Sequence, residues 1–353
     1  MTAGEVPEYP EYAVVVPTLG RPSLGRLLAA LAEGEGPAPA RVVLVDDRPP
    51  RDPEPLDVSV PEGLRDLVEI VPGGGRGPAA ARNAGWRRVP EPWVAFLDDD
   101  VVPARGWRRA LAADLAAADP GTGGIQARIE VPAPSHRRPT DWERGTMGLA
   151  SASWITADMV YRRAALRDVG GFDERFRRAF REDADLALRV LAAGWLLTVG
   201  ERVTTHPVRP AGPWASVRAQ AGNADDVLMG RLHGPGWRRR ARAPRGRFPG
   251  HVAVTLAGLG ALAALAAGRP RVAAAGAGLW LAGTAEFAAA RIRPGPRTAA
   301  ELRLMAVTSV AIPPVAVAHW VTGLVRHRGV GPRHGVPADM FISGISGNSL
   351  VHD

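Results

Sequence analysis

At 353 residues the chain is long enough for one large domain or two ordinary ones with an ample core. It has no cysteine, which excludes disulfides, thiolate metal sites and cysteine nucleophiles. All 44 basic residues are arginine, which gives a formal charge of +8, yet no long arginine run is interleaved with stacking aromatics, so nucleic acid is not an expected partner.

Glu5, Glu8 and Glu11 precede the first strand, where a signal peptide would carry a basic region and an apolar core. Ala13-Val14-Val15-Val16 reads as a short buried strand closed by Pro17. Ser23 is placed to cap a helix whose Leu24, Leu27, Leu28 and Leu31 recur at helical spacing. Val42–Val45 forms a second strand ending at Asp46-Asp47, and Val68–Val71 a third. Gly73 to Gly77 make a loop before a helix that starts at Pro78 and runs through Trp86. The loop lacks the Gly-Lys-Ser/Thr ending of a P-loop and reads as a flexible connection. The strand 93–97 follows, then an Ala-rich helix near 105–118. This alternation predicts an α/β fold with a doubly wound, mostly parallel sheet.

From 140 to 210 the pattern is mixed, around Gly170-Gly171-Phe172-Asp173-Glu174 and Arg181-Glu182-Asp183-Ala184-Asp185. A helix runs on through Leu191 and stops near Gly194. Arg231 to Arg247 is basic and broken by Pro and Gly, as a linker would be. Beyond it, 248–268 and 304–325 carry no formal charge, and 272–290 carries only Glu286, which needs a partner or an interfacial position. Roughly 20 apolar residues suffice to cross a bilayer. The arginines at 238, 239, 240, 242, 245 and 247 sit where a cytoplasmic flank is expected. Pro313-Pro314 predicts a kink in the last segment.

The chemistry concentrates at Phe96-Leu97-Asp98-Asp99-Asp100, where an apolar strand runs into three carboxylates. Ligands of open α/β sheets bind outside the carboxyl ends of strands, and clustered acids repel unless a cation joins them. Four more features stand in order: Val16-Pro17-Thr18, Val45-Asp46-Asp47, Ala81-Arg82-Asn83-Ala84-Gly85, and Glu182-Asp183 followed by Asp185-Leu186. With this set the chain resembles the family-2 glycosyltransferases, inverting enzymes of the GT-A fold, over about residues 11–210.

The resemblance implies a nucleotide-diphosphate sugar donor and a hard divalent cation, Mg2+ or Mn2+. Asp98 and Asp100 match the family's Asp-x-Asp: Asp100 as metal ligand, Asp98 touching the ion or the ribose, with Asp99 between them in an outer shell or in solvent. Asp47 matches the acid that contacts the nucleobase, Pro17 and Thr18 the loop under the base, and Arg82 and Asn83 the helix lining the donor pocket. Asp183 matches the general base of the Glu-Asp pair, and Asp185 is expected to cap or to pair with an arginine. His206, 23 residues beyond Asp183, stands where several relatives place a further metal ligand. Trp154 and Asp158 fall where acceptors pack in such folds; for Trp195 and Trp214 a sugar-facing surface is possible and core packing the default.

The implied organisation is a GT-A catalytic domain over 1–230, with a donor half at about 11–130 and an acceptor and base half at about 131–230. A basic linker over 231–247, membrane-associated helices over 248–330 and a flexible tail over 331–353 follow. The expected activity is transfer of a sugar to a hydroxyl on a glycan, lipid-linked or other cell-envelope acceptor, at the cytoplasmic side of a cell membrane whose lipids are a further partner. Two alternatives are a nucleotidyltransferase acting on a sugar phosphate and an inactive glycosyltransferase-like membrane scaffold. The first lacks the Gly-rich, Lys-containing loop after the first strand, which instead runs into Pro17-Thr18-Leu19-Gly20-Arg21.

Overall fold

The computed structural model describes residues 9–49 and 54–333. Glu5, Glu8 and the expected tail from 334 onward lie outside the described residues. Apolar, β-branched runs form four neighbouring parallel strands: β1 (Tyr12–Thr18), β2 (Arg41–Asp46), β3 (Val68–Pro72) and β4 (Trp93–Leu97). The chain adds β5 (Val102–Pro103), β6 (Thr122–Glu130), β7 (Asp158–Arg162) and β8 (Leu196–Thr205), giving the order β3-β2-β1-β4-β7-β6-β8-β5. β7 runs antiparallel to β4 and β6, and β5 to β8, so the sheet is mixed and mostly parallel. Because β1, β2 and β4 point the same way, Thr18, Asp46-Asp47 and Asp98–Asp100 arrive at one sheet edge. Pro17 does not close β1; the strand continues through it, paired with Val45 of β2, beyond its last β4 partner at Val15.

Twelve α-helices are described. The first six are α1 (Ser23–Glu33), α2 (Pro78–Trp86), α3 (Trp107–Ala116), α4 (Asp141–Met147), α5 (Arg163–Val169) and α6 (Glu182–Ala192). They are followed by α7 (Ala215–Arg218), α8 (Gly222–His233), α9 (Trp237–Arg240), α10 (Phe248–Ala266), α11 (Pro270–Ile292) and α12 (Ala299–Arg326). One face of the sheet buries the leucines of α1 with Trp107 and Leu111 of α3. The other buries Ala79, Ala81 and Trp86 of α2 with Leu166 of α5 and Leu186 and Val190 of α6. Ser23 is not the cap of α1: Pro22 occupies that position in helical conformation, and the Ser23 hydroxyl is buried without a partner.

Two local features position the site. Gly85 lets α2 lie on the sheet, since a Cβ there would come within 2.4 Å of Val15 Cγ1 and 3.1 Å of Val45 Cγ2. That close approach holds Arg82 and Asn83 over the strand ends. Asp158, read from the sequence as near an acceptor, is instead a core anchor: it is fully buried and accepts from Trp107 Nε1 (2.6 Å), Arg202 Nε (3.0 Å) and Thr204 Oγ1 (2.5 Å). Arg202 also reaches Asp114 at 3.2 Å. Removing one partner of such a buried pair typically costs about 3–5 kcal/mol, because the other charge is left uncompensated. Trp214 departs from its core default, being 45% exposed, whereas Trp195 packs at the edge of the core and donates to Asp168 at 2.9 Å.

Residues 231–247 are folded against the rest of the chain. Trp237 of α9 is buried with Phe176, Leu188, Leu228 and Leu232. α10 and α11 form an antiparallel hairpin packed through small residues, with Gly258 against Trp280 and Gly276 against Ala261. Glu286 finds its partner in Arg247, at the base of this hairpin. Three helices, α10, α11 and α12, are long and apolar enough to cross a membrane by length and composition. They differ in surroundings. The spanning windows of α10 and α11 are each 11% buried, and Leu256, Leu259, Leu262 and Leu265 form an exposed apolar stripe. α12 continues through Pro313 and Pro314 and turns a stripe of Glu301, Met305, Thr308, Ser309, Ile312, Ala316 and Gly323 inward. Glu301 accepts from the Asp141 backbone at 3.0 Å, and Gly323 lies against Ala224 of α8, so both ends of α12 touch the α/β part.

Candidate active site

The carboxyl ends of β1, β2 and β4 are tied together by the acids that follow them. Asp99 is buried, accepting from Thr18 Oγ1 (2.8 Å), the Leu19 backbone N–H (3.3 Å) and Arg21 Nη1 (2.8 Å). This corrects the solvent reading of Asp99: it fixes the loop after β1. Thr18 is fully engaged there, since its hydroxyl also accepts from the Gly20 N–H at 3.0 Å. Pro17 lies just ahead, partly exposed.

Asp47 stands at the tip of β2 and accepts from the backbone N–H groups of Arg76 (3.0 Å) and Gly77 (2.9 Å). The glycine loop therefore wraps its amides around the protein's own carboxylate, and a phosphate would meet charge repulsion in the same nest. Burial raises the Asp47 pKa against these hydrogen bonds. Arg76 points elsewhere, to Glu174 at 3.1 Å.

Arg82 is a buried bridge. Its Nη1 donates to Glu182 (2.9 Å), its Nη2 donates to Asp98 (2.8 Å), and its Nε has no partner. A planar guanidinium serves two acceptors in fixed geometry, so Arg82 ties the tip of β4 to the start of α6. The Asn83 amide is taken up within the protein. It donates to Phe172 O (2.8 Å) and Glu174 (3.0 Å) and accepts from the Phe172 N–H and Trp86 Nε1, both at 2.9 Å. Asn83 thus pins the Gly-Gly-Phe-Asp-Glu turn to α2. Gly171 is needed at that contact: its φ is +77°, and a Cβ would approach Asn83 Oδ1 to 2.5 Å.

The start of α6 is set by Arg181, a non-glycine residue in the left-handed region (φ 76°). Such a conformation costs of order 1–3 kcal/mol unless the surroundings hold it. Here Asp226 receives the Arg181 Nε at 2.8 Å, and the guanidinium stacks on Phe180 (4.3 Å) and Trp237 (5.0 Å). Asp183 follows, partly exposed, its Oδ1 accepting from the Ala184 N–H at 2.6 Å. Burial raises the Asp183 pKa, and Asp98 adds to the rise while Arg82 and Arg181 oppose it. Burial and the adjacent Asp183 carboxylate likewise push Glu182 up. Asp185 pairs as expected, with Arg189 (2.7 Å) and His233 (2.8 Å), and is held down to about 2 despite its burial.

Asp98, Asp100 and His206 converge, each offering a ligand atom within 4.8 Å of the others. His206 leaves β8 with its Nδ1 3.2 Å from its neighbour's carbonyl, Pro207 O. A carbonyl only accepts, so Nδ1 is the donor in this contact, and Nε2 faces Asp100, 3.8 Å away. Asp100 is buried, and burial followed by repulsion from Asp98 raises its pKa, while His206 and Arg209 pull it down. Its Oδ2 lies 2.8 Å from Arg209 Nε without hydrogen-bond alignment. Two carboxylates forced together, an imidazole nitrogen beside them and an unsatisfied buried oxygen fit a hard divalent cation. Arg209 and the bridging role of Arg82 were not visible in the sequence, because each depends on a long-range approach. The one local hint was the short spacing of Arg209 from His206.

The site is thus an α/β sheet with acidic strand tips on one edge and a carboxylate-bearing helix facing them. Residues 13–176 match the family described as "Glycosyl transferase family 2". Over 202 residues, 53% of its length, the chain is 31% identical to a "Pre-mycofactocin glycosyltransferase" of Mycobacterium tuberculosis (strain CDC 1551 / Oshkosh). The match covers 40% of that relative, so the chain spans about two fifths of the curated protein it resembles. Among solved structures it is similar to a mannosyltransferase from Pyrobaculum calidifontis in complex with GDP-Man and Mn2+. That likeness has 19% identity and a TM-score of 0.48 and covers 90% of this chain and 88% of the other. It is also similar to S. aureus TarS 1-349 in complex with UDP-GlcNAc, with 15% identity, a TM-score of 0.43 and coverage of 91% and 92%.

Proposed function

We propose that the protein is a metal-dependent, inverting glycosyltransferase that moves a sugar from a nucleotide-diphosphate donor to an acceptor hydroxyl. The observation that carries this reading is the convergence of Asp98, Asp100 and His206 beside the Arg82–Glu182 bridge that leads to Asp183. Asp98, Asp100 and His206 would hold Mg2+ or Mn2+, which supplies positive charge to the departing diphosphate and orients the donor. Asp183 takes the proton of the acceptor hydroxyl as that oxygen forms its bond to the anomeric carbon. The bond from the anomeric carbon to the diphosphate oxygen breaks on the opposite face, and the nucleoside diphosphate leaves. Arg82 holds Asp98 and Glu182 apart at fixed distance while Asp99 keeps the loop after β1 closed beneath the donor. Asp47, Pro17 and Thr18 form the nucleoside side of this edge; Asn83 supports it from behind. Product analysis by NMR is the test. With Mn2+ and the right donor the new linkage has the opposite anomeric configuration, and retention of configuration would overturn the single-base reading.

The acceptor is proposed to be amphiphilic. Arg209, paired with Asp100, lines a cleft of ≈ 380 Å³ whose other walls include Trp142 and Leu304 and Met305 of α12. This cleft connects the metal edge to the apolar helices. We further propose that α10 and α11 cross the membrane as a two-span hairpin while α12 lies along the catalytic part at the interface. At 1.5 Å per residue, the 19 residues of α10 reach about 28 Å, close to the bilayer's apolar thickness. Arg269 and Arg271 are the arginines at the hairpin tip, whereas 238–247 carries six at its base, which supports a cytoplasmic side for the catalytic part. Because the chain lacks cysteine, single replacements report topology directly. In intact cells a membrane-impermeant thiol reagent is expected to label Arg269→Cys and not Arg245→Cys; labelling of both or the reverse pattern would contradict the proposed sidedness.

A further inference from the structure

We propose that a cleft between the 231–248 segment and α12 binds the headgroup of an anionic phospholipid, gripping the chain where α10 enters the bilayer. The proposal rests on the membrane reading of α10 and α11. The cleft measures ≈ 910 Å³, and its walls include Arg231, Arg239 and Arg245 on the basic segment and Phe248, Trp320 and Leu324 on the helices. Asp226, the acid in its lining, is already taken by Arg181 at 2.8 Å and by Arg238. Among the described residues, Arg231, Arg239 and Arg245 make no ion pair, and all three are exposed. The cleft therefore holds three cations that no acid among the described residues pairs with.

Guanidinium groups match phosphate oxygens with paired donors, so a phosphate is the complementary headgroup. The other wall selects a lipid over a free anion. Phe248, the first residue of α10, meets Trp320 with ring centroids 5.5 Å apart, and Trp320 is partly exposed. Tryptophan in this setting belongs at the membrane–water boundary. A phosphate joined to acyl chains satisfies both walls at once, with its charge among the arginines and its tails beside Leu324 and the exposed stripe of α10. Inorganic phosphate would use only the first wall.

The test uses the full chain in a neutral detergent and reads its Tm as phosphatidylglycerol, phosphatidylcholine or inorganic phosphate is added. Phosphatidylglycerol is expected to raise Tm saturably, and the other two are not, because ligand binding to the folded state stabilises it by mass action. The triple variant Arg231→Gln, Arg239→Gln, Arg245→Gln is expected to lose at least tenfold in apparent affinity for phosphatidylglycerol. Replacing the same three residues by Lys should keep most of it, which separates charge from a packing defect. The proposal is overturned if the Gln variant keeps the full response, if phosphatidylcholine matches phosphatidylglycerol, or if inorganic phosphate gives the same rise. A wild-type chain that needs no detergent and ignores phosphatidylglycerol removes the membrane reading together with this one. A preserved phosphatidylglycerol response in a protein that binds no nucleotide sugar leaves the cleft standing and removes the catalytic reading instead.

Discussion

Asp100→Asn is expected to lower transfer by roughly 10³-fold or more, equivalent to about 4 kcal/mol of lost transition-state stabilisation. The residue is buried between Asp98, His206 and Arg209, with one carboxylate oxygen lacking a hydrogen bond. Replacing that oxygen by an amide removes charge from the proposed cation site without changing side-chain volume. It also relieves repulsion from Asp98, so the fold should be no less stable. The diagnostic pattern is lost activity and lost metal-dependent donor binding at unchanged or raised Tm. A variant that keeps transfer within a factor of about three of wild type would remove Asp100 from the site, since any ligand of the cation should cost far more than that.

Asp183→Asn should behave differently. Loss of a general base typically costs about 10²–10⁴-fold in rate, while donor affinity, set at the other side of the edge, stays as in wild type. The pH profile adds a readout that a structural role would not move. A base works only when deprotonated, and burial raises the Asp183 pKa above its ordinary value. Activity is therefore complete above that raised pKa and falls as pH drops through it, placing the acid limb higher than an unperturbed aspartate, near 3.9, would put it. In Asp183→Asn the residual rate should lose this limb. A residual rate with the wild-type acid limb would assign the proton transfer to another group.

The strands β1 to β4 and the position of the acids were legible because periodicity and charge are local. So was the pairing of Asp185, whose Arg189 partner lies one helical turn away. What stayed hidden depended on distant approaches. Asp99 looked dispensable beside two motif residues, yet the loop after β1 folds back to surround it. Asn83 looked like a donor contact, because nothing nearby in sequence announces that Phe172 and Glu174 will take up its amide. Ser23 looked like a cap because serine favours that role, and the preceding proline began the helix instead. Asp158 carried an acceptor-side reading that Trp107, Arg202 and Thr204 overturn by surrounding it in the core. α12 passed every composition test for a membrane span, but composition does not record that its inward stripe packs along α8 and the 141–147 helix.

Asp98, Asp100 and His206 are proposed to hold a divalent cation that presents a nucleotide-diphosphate sugar to Asp183. Calorimetric titration of the full chain with a panel of nucleotide sugars, at saturating Mn2+ and in EDTA, tests this most directly. One saturable donor site is expected with Mn2+, with at least a hundredfold weaker binding in EDTA and the same weak binding for Asp100→Asn under both conditions. Equal donor affinity with and without metal, or an Asp100→Asn protein that binds donor as wild type does, would contradict it.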